Sequence, residues 1–257
     1  FSSKMIVHLY GLLIGIAIIT GSYLVTKAAK LFSFSEKLLD TLIIVTIVGG
    51  IFGARVWHVV TDFHLYRDNA VAALYIWNGG LSIIGAFMGG AVALCVYGWN
   101  QRLNQKTLVS FLDLLPFGLP FAQAIGRLGN YFNHELYGLP TNLPWKLYIP
   151  PNARLESHTD QAYYHPLFAY EAIALLIFGF YIWLKLSKSA HHRIGDGVMI
   201  TLYLLYYAII RFGLDFLRVD TAIKVGGILG INQLLLIVVA SISAVFLTRY
   251  FLKKKNI

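Results

Sequence analysis

Residues 39–60 read LDTLIIVTIVGGIFGARVWHVV. A bilayer-spanning helix needs about 20 mostly apolar residues. This run supplies them, with one acid, Asp40, at its start and one arginine, Arg55, towards its end. Windows of similar size recur at about 6–26, 79–98, 108–127, 166–185, 197–217 and 226–249. The sequence therefore predicts an all-α integral membrane protein with about seven transmembrane helices. The window 108–127 is the least regular. Pro116 and Pro120 interrupt it and Asp113 lies inside it, so a kinked or broken helix is expected, its freed backbone groups satisfied by protein.

Composition excludes the other classes. Of 257 residues, 58% are hydrophobic and 13% charged, against roughly 25% charged in a soluble domain. With a mean hydropathy of +0.66, the chain is too apolar to show water a polar surface, and intrinsic disorder is excluded too. The single cysteine, Cys95, lies in an apolar run and excludes a disulfide scaffold. The net charge of +9 forms no continuous basic patch, so no nucleic-acid partner is expected; the lipid bilayer is the partner. The histidines lack a compact ligand spacing, and neither a metal nor another cofactor is expected.

Orientation follows from Lys and Arg in the connections. Of the 21 basic residues, twelve fall on one side, among them Lys27, Lys30, Arg102, Lys185 and the cluster Lys253–Lys255. Six fall on the other side and three lie within or at the edge of spans. This split predicts an outside N-terminus and a cytoplasmic C-terminus. The first apolar run reads as a retained span rather than a cleaved leader, because Lys4 is a thin basic segment and the positive charges follow the run. The longest connection, 128–165, then lies outside. Pro140, Pro144, Pro150 and Pro151 mark it as an ordered, non-helical extracytoplasmic cap on a single polytopic domain, 1–257. Gly-xxx-Gly pairs at Gly11/Gly15, Gly49/Gly53, Gly85/Gly89 and Gly226/Gly230 read chiefly as helix-packing seams.

Ionisable groups inside a bilayer are costly and usually face a functional cavity. With this orientation, Tyr10 lies near the outer end of span one, and Arg55, His58 and Asp62 at that of span two. Asn78 and Ser82, Arg127 and Asn130, His165 with Tyr170 and Glu171, Arg211 with Asp215, and Asn232 with Gln233 occupy the same depth on the remaining spans. Only Asp113 breaks the pattern. Snorkelling near helix ends accounts for one or two such positions; polar groups at one end of all seven spans favour a shared outer-leaflet cavity.

Two stretches give local geometry. Tyr203, Tyr207, Arg211, Asp215 and Arg218 form one stripe at helical spacing. Arg211 and Asp215 there can pair, either as a helix-locking ion pair or as part of a site. Arg55, His58 and Asp62 make a shorter stripe open to the same two readings. The segment GRLGNYFNHELYG, 126–138, is the most informative. A helix would bring Arg127, Asn130 and His134 together. Gly126 and Gly129 permit close backbone approach, and a guanidinium beside amides suits a phosphate. A turn with its cap is the plainer alternative.

GRLGNYFNHELYG closely resembles the signature of bacterial prolipoprotein diacylglyceryl transferases, Gly-Arg-x-Gly-Asn-Phe-x-Asn-x-Glu-x-x-Gly. Gly126, Arg127, Gly129, Asn130, Asn133, Glu135 and Gly138 match it, with Tyr131 in place of Phe. Further similarities follow in order: Tyr10-Gly11, Gly53 with Arg55, Gly79-Gly80-Leu81-Ser82 with Gly85, His165-Pro166 with Tyr170-Glu171, and Tyr207 through Arg211 to the FLR at 216–218. There are departures. Ile84 stands where many members carry a His considered a possible base, Asp215 where Glu is frequent, and residues 167–169 also differ.

The resemblance implies transfer of the diacylglyceryl group of phosphatidylglycerol to the lipobox cysteine thiol of a prolipoprotein signal peptide. A thioether forms and glycerol phosphate leaves, in a bacterial cytoplasmic membrane with the site toward the outer leaflet. Cys95 is then not the nucleophile. Arg127 and Arg211 are the expected catalytic cations. Tyr207 or, at a variable motif position, His134 is an open choice for proton acceptor. Tyr10, Arg55, Ser82, Asn130, Asn133, Glu135, Gly138, His165, Glu171 and Asp215 are expected to bind substrate or orient the groups that do. The competing reading is a transporter or lipid-binding scaffold, which would show polar residues through the full depth or symmetric halves. A membrane serine protease built on Ser82 is a third reading, resting on one serine between small residues.

Overall fold

A computed structural model describes residues 3–67, 69–76, 79–155, 160–186, 194–218, 224–225 and 229–255. Eight α-helices are described: α1 (Ser3–Leu31), α2 (Glu36–Thr61), α3 (Ile83–Asn100), α4 (Gln105–Leu114), α5 (Leu119–Phe132), α6 (Leu167–Tyr181), α7 (Val198–Asp215) and α8 (Ile231–Lys255). Two antiparallel two-residue ribbons accompany them: β1 (Leu147–Tyr148) with β2 (Tyr163–Tyr164), and β3 (Lys224–Val225) with β4 (Leu229–Gly230). Five helices are long and apolar enough to cross a membrane, on α1, α2, α6, α7 and α8, and the bent pair α4–α5 brings the number to six. The window expected at 79–98 is shorter than a span. Gly79 and Gly80 take positive φ of 86° and 72°, and Ser82 caps α3 by accepting the Gly85 N–H at 3.4 Å, so the helix begins only at Ile83.

The chain divides into two compact units, residues 29–111 and residues 1–28 with 112–257. In the first, α2 packs along α3 with glycine on both faces. A Cβ on Gly53 would lie 2.6 Å from the Cα of Gly89, and one on Gly89 would lie 2.7 Å from that of Gly53. Gly49 and Gly85 are equally closed in by the opposing backbone. Here small residues let helices touch. Gly11 and Gly15 face open space instead, so their spacing is no seam within the chain, and Gly226 lies outside the described residues.

In the second unit the break expected near Pro116 is present: α4 and α5 meet at 50°, joined by a 3-10 turn at Leu115–Phe117. The Phe117 carbonyl, released at the bend, accepts the Trp183 indole N–H at 2.9 Å, and the two rings meet edge to face. α1 crosses the bend closely, with a notional Gly21 Cβ 3.0 Å from that of Ala122. Asp113, the residue out of depth in the sequence, is fully buried. It accepts backbone N–H groups from Gly195 and Gly197 at 2.9 Å and Ile200 at 3.1 Å. A carboxylate there satisfies the first orphan donors of α7 and its dipole.

The connection between α5 and α6 has its own small core of Tyr137, Ile149 and Tyr164, with Leu147 and Ala153 against it. Tyr137 donates to the Ala153 carbonyl at 2.9 Å and Tyr164 to that of Gln161 at 3.0 Å. Burial pushes the Tyr164 phenol above its ordinary value, so this contact stays protonated through the neutral range.

Candidate active site

Three helix ends of the larger unit converge on one carboxylate. Glu171, in the first turns of α6, is fully buried. Its Oε1 accepts Arg127 Nη2 at 2.6 Å and its Oε2 accepts Arg211 Nη1 at 3.2 Å. Arg127 comes from the last turns of α5 and Arg211 from near the end of α7. Arg211 Nη2 also reaches Asp215 Oδ1 at 3.2 Å, which Arg218 Nη1 shares at 3.4 Å. Asp215 and Glu171 thus hold guanidiniums that would be prohibitively costly to bury alone. The stripe on α7 also sets Tyr207 against Tyr203, rings stacked 6.1 Å apart, and Tyr207 hydrogen-bonds with Arg127. Tyr203 donates to Gln123 Oε1 at 2.6 Å, tying α7 to α5. Sequence reasoning did not single out Gln123; a polar residue one turn before Arg127 was the available signal.

The motif at 126–138 differs from a continuous helix. α5 ends at Phe132, Asn133 caps it, and His134 takes a positive φ of 55°. The expected grouping of Arg127, Asn130 and His134 is therefore corrected: His134 leaves the helix and Glu135 takes its place. Arg127 Nη1 donates to Asn130 Oδ1 at 3.1 Å, and Asn130 Nδ2 to Glu135 Oε2 at 3.2 Å. Asn133 Nδ2 lies 3.5 Å from Glu135 Oε1. The chain can turn here because Glu135 N–H bonds back to the Asn130 carbonyl at 2.8 Å. Arg127 Nε is buried without a hydrogen-bond partner among the described residues.

Gly138 locks the connection to the foot of α7. Its N–H bonds to the His165 carbonyl at 2.8 Å, and Leu139 N–H bonds to the Leu217 carbonyl at 2.8 Å. A Cβ at Gly138 would meet the Leu217 oxygen at 2.7 Å. His165 Nδ1 lies 3.1 Å from Tyr170 Oη. Tyr10 lies on α1, its side chain outside the described set, as is Asn78. Gln233 is buried at the start of α8 and accepts the Gly230 N–H at 2.9 Å.

Arg55 and Ser82 belong to the smaller unit. The Arg55 guanidinium donates to the carbonyls of Ala72, Ala73 and Gly79 at 2.7 Å and of Gly80 at 2.9 Å, bracing the turn before α3. Ser82 is a helix cap, so its hydroxyl is engaged with the Gly85 N–H and lacks the base contact a serine nucleophile requires. His58 Nδ1 meets Asp62 Oδ2 at 2.8 Å.

Paired guanidiniums, amide side chains and no group of three or more metal-ligand residues among those described make an oxyanion cradle, suited to phosphate by its planar forks. The family model described as prolipoprotein diacylglyceryl transferase matches residues 1–249. A phosphatidylglycerol–prolipoprotein diacylglyceryl transferase of Synechocystis is 34% identical across 96% of this chain and 87% of its own. Proteins of the same name from Thermosynechococcus vestitus (33%; 96% and 89%) and Prochlorococcus marinus (34%; 83% and 75%) are similarly related.

Proposed function

The chain belongs to the prolipoprotein diacylglyceryl transferase family, and from that premise we propose that it transfers the diacylglyceryl group of phosphatidylglycerol to the lipobox cysteine thiol of a prolipoprotein. It is an enzyme of bacterial lipoprotein biosynthesis. The observation that carries the mechanism is Glu171 joining Arg127 to Arg211. The thiolate sulfur attacks the glycerol carbon, a thioether forms, and the carbon–oxygen bond electrons leave on the phosphate. A phosphodiester monoanion becomes a phosphomonoester that reaches two negative charges. Fixed guanidiniums therefore bind the transition state more tightly than the bound lipid. One such contact is worth about 3–4 kcal/mol, or roughly 10²–10³ in rate.

Glu171 and Asp215 hold the two arginines in place, and Tyr207 donates beside Arg127 toward the same phosphate. Asn130, Asn133 and Glu135 receive glycerol hydroxyls or phosphate oxygens. Gly138 and His165 shape the connection at this end, and Tyr10 contributes from α1. Arg55 and Ser82 serve through the 72–82 turn they brace. The same reading has seven helices cross the cytoplasmic membrane, N-terminus outside, with 128–165 capping the outer end and the cradle open to the outer leaflet. The basic cluster at 253–255 and the polar end shared by α5, α6 and α7 support it. Transport or scaffolding is not favoured, since the family and the relatives are transferases.

Purified protein with radiolabelled phosphatidylglycerol and a lipobox peptide tests the activity. Label is expected on the cysteine peptide and none on a Cys→Ser peptide; equal labelling of both, or of neither, overturns the reading.

A further inference from the structure

Two histidines of this chain sit in opposite hydrogen-bond settings. Asp62 Oδ2 lies 2.8 Å from His58 Nδ1, and a carboxylate only accepts, so Nδ1 carries the hydrogen and Nε2 keeps its lone pair. Tyr170 Oη receives the Trp145 indole N–H at 2.7 Å and lies 3.1 Å from His165 Nδ1. Indole only donates, so the phenol's hydrogen is directed to His165 Nδ1, and His165 carries its own hydrogen on Nε2. His58 is an acceptor imidazole; His165 is a donor.

We propose that His58, oriented by Asp62, takes the proton from the substrate thiol. The assignment rests on the transferase reading. An unperturbed thiol, pKa about 8.5, is mostly protonated at neutral pH, whereas an imidazole near 6.5 is mostly free to accept. A phenol near 10 is a much weaker proposition for the same task at that pH. In the step, sulfur–carbon bond formation accompanies departure of the phosphate oxygen with its electron pair. The proton passes to His58 Nε2 and then to the leaving phosphomonoester or to water.

The dyad is complete within residues 29–111 and is rigidly placed. Asp62 ends α2, its backbone N–H bonded to the His58 carbonyl at 2.9 Å, and Thr61 Oγ1 donates to the same Asp62 Oδ2 at 2.9 Å. The imidazole meets Tyr66 edge to face at 5.9 Å, and Arg55 lies 5.2 Å over that Tyr66 ring. The Nε2 edge abuts Gly80, where φ is +72° and any side chain would collide with the imidazole and with Arg55 Nη1. Asp62, Arg55 and Tyr66 are the charged and titratable groups facing His58 among the described residues. The turn closing over the ring presents the Gly80 backbone.

The test is the pH profile of transfer to a lipobox peptide by wild type, His58→Ala and His58→Gln. At pH 7 both variants should lose about 10²–10⁴-fold, and each should recover roughly tenfold per pH unit until the thiol ionises by itself near pH 8.5. Wild type should instead rise through the imidazole range and level off. An equal loss at every pH, as from a merely structural histidine, or no loss, overturns the proposal. Should the variants not fold, ¹⁵N-histidine spectra of the wild-type protein decide: the ring hydrogen-bonded to Asp62 must be the Nδ1–H tautomer, and Nε2–H rejects the assignment. Wild type inert at every pH would fault the transferase reading instead.

Discussion

Arg127 engages Glu171 and Asn130 through different nitrogens of one planar fork, a geometry an ammonium cannot copy. Arg127→Lys keeps the charge and should lower kcat/KM for lipid transfer by about 10²-fold; near-wild-type turnover would remove the bidentate phosphate contact from the mechanism. At this scale the sequence was informative where spacing is helical. Arg211 and Asp215, four apart on α7, do pair. It was uninformative about the partner that matters most, because Glu171 lies 44 residues from Arg127 and 40 from Arg211, and no period links positions on different helices. His134 was misplaced because helix spacing was carried past the point where α5 ends.

At the scale of elements, the break between α4 and α5 was readable from Pro116 and Pro120, since proline removes a donor and clashes with the preceding turn. What satisfies the break was not readable: Trp183 is 66 residues away. Asp113 was likewise visible as an anomaly and opaque as to purpose. It anchors the start of α7, the helix that carries Tyr207 and Arg211 at its other end. Asp113→Ala strands three backbone donors and should destabilise the protein by at least about 2 kcal/mol, read as a lowered unfolding midpoint in detergent micelles. An unchanged midpoint would show that water or a register shift replaces the carboxylate. The third apolar window overran its helix because Gly79 and Gly80 turn the chain before Ser82 starts α3.

For the whole molecule, membrane character was plain from apolar length alone, and the two-unit division was not, since it depends on which helices pack. Sidedness gives the corresponding experiment. In a Cys95→Ala background, Asn142→Cys should react with a membrane-impermeant maleimide in intact cells, and Lys253→Cys only after permeabilisation. The reverse pattern would invert the topology and put the cradle at the cytosol.

One consequence of the shared carboxylate concerns headgroup discrimination. Glu171 divides a single negative charge between two guanidiniums, and the other contact to Arg127, Asn130, is neutral. Arg127 is left under-compensated, and a lipid whose headgroup is net negative relieves that imbalance. A zwitterionic headgroup brings a cation of its own to the same place and is repelled. The enzyme can in this way select an anionic minority from a bilayer of mixed lipids by electrostatics, before any hydroxyl of the glycerol is recognised.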